Sequence, residues 1–311
     1  MKIRYLNYNQ KLKSEFSERI QKISINAGFT CPNRDGSKGI GGCTYCNNQS
    51  FSPEYCQPVK TVNRQIEEGI HFFRNKYQNQ NYFAYFQSYT NTYDSIDKLK
   101  SIYEEALSHP LIKGIVIGTR PDCVSDELLD YFMTMAKRYY IMIEYGIEST
   151  NDLTLKFINR GHDFSCAENI IRATAARGLR TGAHLILGLP QEDRETILSH
   201  ADLISKIPLT MLKLHQLQLI KGTRMAQEFE HHPEWFQFYT ADAYIDLVID
   251  FLERLNPAIA IERFVSQSPK ELLIEHGWGL KNFEFTAKLE KRLETRNTWQ
   301  GRLYKHELFV F

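Results

Sequence analysis

Seven short runs rich in β-branched and aromatic residues punctuate the chain: KISIN (22–26), YFAYFQS (82–88), GIVIGT (114–119), YIMIEYGIES (140–149), RTGAHLILGLP (180–190), MLKLHQLQLI (211–220) and AIAIERFV (258–265). Between them lie stretches such as SIDKLKSIYEEALSH and SDELLDYFMTMAKRYY, whose apolar residues recur at helical spacing behind a capping Ser. This alternation predicts an α/β fold with a parallel sheet and right-handed crossovers, either doubly wound or barrel-like. Six or seven strand–helix units fit the length better than eight, so the expected architecture is a partial (β/α)6-7 TIM-like barrel with a C-terminal helical extension. After Pro269 the rhythm stops, and FTAKLEKRLETR reads as an amphipathic helix with Phe285, Leu289 and Leu293 on one side and cations on the other. The expected division is a basic N-terminal extension (1–22), a barrel (23–268) and a C-terminal extension (269–311).

Composition narrows the class. At 311 residues with 42% apolar and 24% charged residues, the chain is globular and needs no covalent staples. No run approaches the roughly 18 apolar residues of a membrane span. Met1 is followed by KIRYLNYNQKLKSEF, which lacks the apolar stretch of a secretory signal, so a cytoplasmic protein without membrane contact is expected. The net charge of +1 hides an asymmetry: residues 1–22 and 281–306 are each +4 and the part between is acidic. The basic ends read as solvated helix surface or as a grip on a polyanion.

Three of the six cysteines fall in CPNRDGSKGIGGCTYC, Cys31 to Cys46, just past the first predicted strand and on the face where α/β barrels carry their sites. Gly36, Gly39, Gly41 and Gly42 let this loop wrap a ligand, and Cys43-x-x-Cys46 sets two sulfurs against one centre. In a reducing compartment such thiols are ligands or catalytic groups rather than disulfides. A structural zinc takes four protein ligands, with Cys56 of PEYCQP as the fourth; an iron–sulfur cluster on three thiolates leaves one iron open to an outside ligand. Cys56, Cys123 and Cys166 otherwise read as small hydrophobes.

These residues resemble the radical S-adenosylmethionine (SAM) superfamily, whose signature is three cysteines after the first strand with an aromatic residue, here Tyr45, before the last. Eleven residues separate Cys31 from Cys43 where three is usual, which resembles the lengthened loop of the Elongator-type subgroup. AGFTCPNRDG, GGCTYCNN, GTRPDCV, IEYGIEST, NRGHD and HLILGLP together resemble its YtqA/YhcC branch. The resemblance implies a [4Fe–4S] cluster on Cys31, Cys43 and Cys46, bound SAM, and an external one-electron reductant such as flavodoxin or ferredoxin. FQSYTNTY aligns with the segment whose backbone receives the SAM amino group; Thr90 matches, while Gln87, Ser88 and Tyr89 stand where relatives carry glycines. Glu148 aligns with a residue that bonds the SAM ribose, Arg160 with one that pairs with the SAM carboxylate, and His184 with a ribose-binding Asp. Arg120, Lys213, His215 and Arg263 fall at or near predicted strand ends, where polar groups are costly to bury without a task, and are candidate substrate contacts.

The branch is associated with late maturation of the transfer RNA wobble uridine, in which 5-carboxymethylaminomethyl is trimmed to 5-aminomethyl. The implied function is therefore a radical SAM enzyme acting on tRNA, with Lys288, Lys291, Arg292 and Arg296 on the phosphates and Trp299 available for stacking. Two other classes stay open: a radical SAM enzyme acting on a porphyrin or amino acid, and a zinc-binding or regulatory protein without catalysis.

Overall fold

The computed structural model describes residues 3–48, 52–74, 80–274 and 277–305; positions 1–2 and 306–311 of the flanking segments lie outside the described residues. Seven strands, β1 (Arg19–Ile25), β2 (Gln80–Phe86), β3 (Ile112–Thr119), β4 (Tyr140–Glu148), β5 (Arg180–Leu187), β6 (Met211–Gln216) and β7 (Ala260–Arg263), form one parallel sheet in chain order. The helices are α1 (Tyr8–Phe16), α2 (Val62–Arg74), α3 (Ile96–Ser108), α4 (Asp126–Met135), α5 (Asp152–Phe157), α6 (Phe164–Ala176), α7 (Arg194–Ile204), α8 (Arg224–His231), α9 (Ala241–Arg254) and α10 (Asn282–Thr295). The partial barrel expected from the alternation is what the chain forms. No described helix is long and apolar enough to cross a membrane.

The strand limits differ by one to four residues from the sequence reading, and β1 and β6 show why. β1 starts at Arg19, three residues early, because its register against β2 begins at Arg19 and Gln80. β6 stops at Gln216 rather than Ile220: the chain then leaves the sheet, and Leu219 and Ile220 bury near Met225 and Leu273 instead.

Alternation along the strands sends one set of side chains outward and one inward. The outward set, including Ile23, Ile25, Ile115, Ile117, Ile141, Ile143, Leu185 and Leu212, is buried in the main core with Leu99, Leu129, Ile171, Ile197 and Val248 of the helices. The inward set changes character from the amino to the carboxyl ends of the strands. The lowest tier is apolar, with Phe83 stacked on Tyr140 at 4.4 Å, and α1 plugs it with Tyr8 and Leu12. Asn7 caps that helix by accepting from the Gln10 amide. The next tier is charged: Lys22, Glu144, Lys213 and Glu262, with Tyr85 donated a bond by Lys213. The third tier opens into a cavity.

The C-terminal segment packs as its pattern predicted, with Phe285, Leu289 and Leu293 fully buried. Its cations do not all face solvent. Arg292 binds Asp242 at 3.1 Å and Asp246 at 2.6 Å, and Arg296 pairs with Asp246 and Asp250, all on α9. Segments near the two ends of the described chain are joined: Gln300 accepts from the Leu6 amide at 2.9 Å and donates its own backbone amide to the Arg4 carbonyl, while Leu6 accepts from Ile261 of β7.

Candidate active site

The insertion between Cys31 and Cys43 is held by its own backbone. Pro32 accepts from Lys38 and Gly39, Asn33 accepts from Gly42 at 2.7 Å, and Asp35 and Ile40 form an antiparallel bridge. The insert is thus a closed excursion that returns Cys43 to the neighbourhood of its start. Gly42 makes the return at φ 80°, and a side chain there would strike Arg34. The NRGH segment clamps the loop from the other side. Asn33 donates to the Asn159 carbonyl, Asn159 donates to that of Gly42 at 2.8 Å, and Thr44 donates to Ile158.

Cys31, Cys43 and Cys46 line one cavity of about 260 Å³ at the carboxyl ends of the strands. Burial, and then the proximity of Cys43, push the Cys46 thiol up. Cys56 is buried in the main core and is absent from the cavity wall, so the expected zinc alternative loses its fourth ligand. Among the described residues no group of three or more His, Cys, Asp or Glu could hold a single metal ion. Burial pushes the thiols of Cys56 and Cys123 up to about 12, as inert cysteines require.

Arg160 donates to the Cys43 sulfur at 3.4 Å and to the Gly146 carbonyl at 2.6 Å, and stands 3.9 Å from Glu148. Its Nε is buried without a partner. Glu148 follows a register shift in β4 and has φ 70°, a conformation L-residues hold only under constraint. The bulge lets Glu148 line the cavity, where burial pushes its carboxyl up against the pull of Arg160.

In the segment after β2, Tyr89 has φ 64°, so a tyrosine takes the backbone conformation for which glycine is suited. Gln87 and Thr90 line the cavity, and the Thr90 hydroxyl is buried and unpartnered. Ser88 is not on the wall: it is buried with its hydroxyl 3.3 Å from Ser52.

The four candidate substrate contacts divide. Arg120 lines the cavity but is fork-bonded to Asp122 at 2.9 and 3.0 Å, and Asp122 also takes Lys38. Lys213 is absent from the wall, lying beneath it with its ammonium 2.6 Å from Glu144. His215 and Arg263 face the cavity 3.5 Å apart. His184, set beside Gly146 in the sheet, lines the cavity yet bonds Glu144 at 3.0 Å, tying it to the charged tier. On α10, Lys288 and Lys291 are exposed and form no ion pair among the described residues, whereas Arg292 and Arg296 are committed to α9. Trp299 is 41% exposed.

Sequence reasoning missed Lys22, Glu144 and Glu262. Glu144 is fully buried between Lys22 at 2.8 Å, Lys213 at 2.6 Å and His184. Burial opposes its charge, but the two lysines outweigh that and hold the carboxyl well below the usual range. A lone Glu inside IMIEYGI was the available signal. Asn33 and Asp122, which hold the loop and Arg120, were missed as well.

The residues fit a cluster with SAM: three thiols share a wall with a guanidinium, a carboxylate and unsatisfied donors. Residues 26–204 match the Radical SAM superfamily and residues 209–295 the Radical SAM C-terminal domain. The chain is 33% identical over 305 residues to the uncharacterized protein YtqA of Bacillus subtilis, covering 97% of this chain and 93% of YtqA. It is 38% identical over 220 residues to protein YhcC of Escherichia coli K12, 70% of each. Over 182 residues it is 25% identical to a tRNA uridine(34) acetyltransferase of Dehalococcoides mccartyi, covering 56% of this chain and 37% of that one. The structure of Elp3 from the archaeon Methanocaldococcus infernus superposes with a TM-score of 0.66 at 15% identity, covering 90% of this chain and 64% of that one. Fold, cysteine loop and sequence agree, and the chain belongs to the radical SAM superfamily.

Proposed function

We propose that this protein is a radical SAM enzyme of tRNA, trimming the 5-carboxymethylaminomethyl group of the wobble uridine to 5-aminomethyl. The observation that carries the reading is the single cavity in which the three thiols share walls with Glu148, Arg160, His215 and Arg263. The likeness to a tRNA uridine(34) acetyltransferase supports the substrate class. The superfamily's [4Fe–4S] cluster and SAM, when bound, supply one-electron cleavage of SAM and a carbon radical able to take hydrogen from an unactivated C–H bond.

The protein's own part is positioning. Cys31, Cys43 and Cys46 hold the cluster, Arg160 offers its free Nε to the SAM carboxylate, and Glu148 takes the ribose hydroxyls. A seven-stranded half-barrel leaves a lateral entry for a nucleotide drawn out of its stack. Exposed Lys288 and Lys291 remain for phosphate contacts, which makes tRNA binding fall with added salt. Nucleoside profiling of RNA from a deletion strain tests the reading: 5-carboxymethylaminomethyluridine accumulates and its trimmed products vanish. An unchanged uridine profile overturns it in favour of a small-molecule substrate.

A further inference from the structure

Four arginines line the cavity, and three have work to do. Arg34 donates to the Cys46 carbonyl, Arg120 is fork-bonded to Asp122, and Arg160 donates to the Cys43 sulfur and the Gly146 carbonyl. Arg263 is different. Its Nε is buried without a partner, and its one close polar contact among the described residues is the 3.5 Å approach to His215.

The neighbouring polar groups are already used. Gln216 bonds the Ser266 backbone at both ends of its amide, and Gln218 accepts from the hydroxyls of Ser266 and Ser268. The nearby acids are paired with other groups: Glu262 binds Lys22 at 2.6 Å and stands 3.6 Å from Lys213, while Glu144 binds Lys22, Lys213 and His184. A guanidinium Nε buried without an acceptor is costly, and the planar fork of this half-buried arginine matches a carboxylate.

We propose that Arg263, with His215 beside it, is the anchor for a carboxylate on the substrate, at the end of β7 in the cavity that the three cysteines also line. This rests on the tRNA reading above, in which the group to be removed is a carboxymethyl on an amine.

Charge count favours a monoanion. At this end of the cavity Lys22 and Lys213 balance Glu144 and Glu262, so Arg263 leaves one positive charge once the two imidazoles are neutral. Burial, reinforced by Lys213, brings His184 down to about 4, and burial with Arg263 holds His215 well below the usual histidine range, so both are neutral near pH 7. One positive charge suits a carboxylate better than the dianion of a phosphate monoester.

The test is equilibrium binding to the reconstituted enzyme with SAM present, using free 5-carboxymethylaminomethyluridine, free 5-aminomethyluridine, N-methylglycine and inorganic phosphate. The wild-type protein should prefer the carboxylate nucleoside over the aminomethyl nucleoside by roughly tenfold to a hundredfold. Arg263→Met should bring that ratio near one, and Arg263→Lys should restore part of it. Persistence of the ratio in Arg263→Met overturns the anchor and leaves the tRNA reading standing, as does a wild-type protein that binds both nucleosides equally. Loss of N-methylglycine binding in Arg263→Met, with no binding of either nucleoside to the wild type, supports the anchor and overturns the wobble-uridine reading. Competition by phosphate and not by N-methylglycine reassigns Arg263 to a nucleic-acid backbone and overturns the carboxylate. Binding of none of the four probes overturns the anchor. Cluster content of each variant, read from its absorbance, separates these results from a failure to fold.

Discussion

The charged tier inside the barrel and the cavity wall above it are built from the same residue types and treat them in opposite ways. Below, Glu144 meets two lysines and a histidine, Lys22 bridges Glu144 and Glu262, and the ionic groups close on one another. Above, Arg160 Nε, Arg263 Nε, Arg120 Nη1 and the Thr90 hydroxyl are buried without partners, and Tyr89 and Glu148 hold left-handed backbones. Buried polar groups that complete themselves are architecture; the incomplete ones on the cavity wall are those that the proposed function assigns to ligands. The contrast separates structural polarity from functional polarity within one barrel.

Changing the wall at its thiols should have the largest effect. Cys31→Ala, Cys43→Ala or Cys46→Ala should abolish both the iron–sulfur absorbance after anaerobic reconstitution and the formation of 5′-deoxyadenosine, while Cys56→Ala, in the core, keeps both. A cluster that survived Cys31→Ala and vanished with Cys56→Ala would break the comparison.

Next comes the lower tier. Glu144→Gln leaves Lys22 and Lys213 to share Glu262, and should cost about 3–5 kcal/mol of stability in urea unfolding. Glu148→Gln should leave the midpoint in place or raise it, because burial already disfavours the ionised Glu148. Equal losses from the two variants would erase the distinction.

Arg160→Ala should keep the cluster and weaken SAM binding by about 1.5–3 kcal/mol, the range for a hydrogen bond to a charged group. Unchanged affinity by calorimetry would remove Arg160 from the SAM site.

The smallest effect is on pH dependence. Burial, then Arg160, brings His162 down to about 4, and burial, then Lys213, does the same for His184. An unfolded histidine titrates near 6.5. Between pH 4 and 6.5 the unfolded chain therefore binds more protons, and stability falls as pH drops through that window. The slope is at most about 1.4 kcal/mol per pH unit for each group. His162→Gln should flatten the decline between urea midpoints taken at pH 7 and pH 5, and an unaltered slope would mean that His162 is protonated in the fold.

The barrel was legible because its strands are apolar runs between amphipathic helices, and the thiol loop because cysteine is rare and its spacing distinctive. The lower tier was not. Glu144 and Lys213 occupy inward positions of period-two strands, and a charged residue at such a position looks the same in sequence whether it meets solvent or another charge. Arg263 was visible as a polar strand end, but its lack of an acceptor depends on where Glu262 and Gln216 turn. The α10 cations were misread in part for the same reason. Arg292 and Arg296 oppose Asp242, Asp246 and Asp250, a stripe at helical spacing in ADAYIDLVID, and only tertiary packing pairs the two helices.

The joining of Arg4 and Leu6 to Gln300 carries a consequence for biosynthesis. These bonds close nearly the whole chain as one loop, a separation of 294 residues, so their entropic cost is met only after every intervening strand is in place. On the ribosome the bonds of Arg4 and Leu6 must wait for β7 and the segment beyond α10 to emerge. Until then the cavity lined by the three thiols lacks the wall that His215 and Arg263 supply.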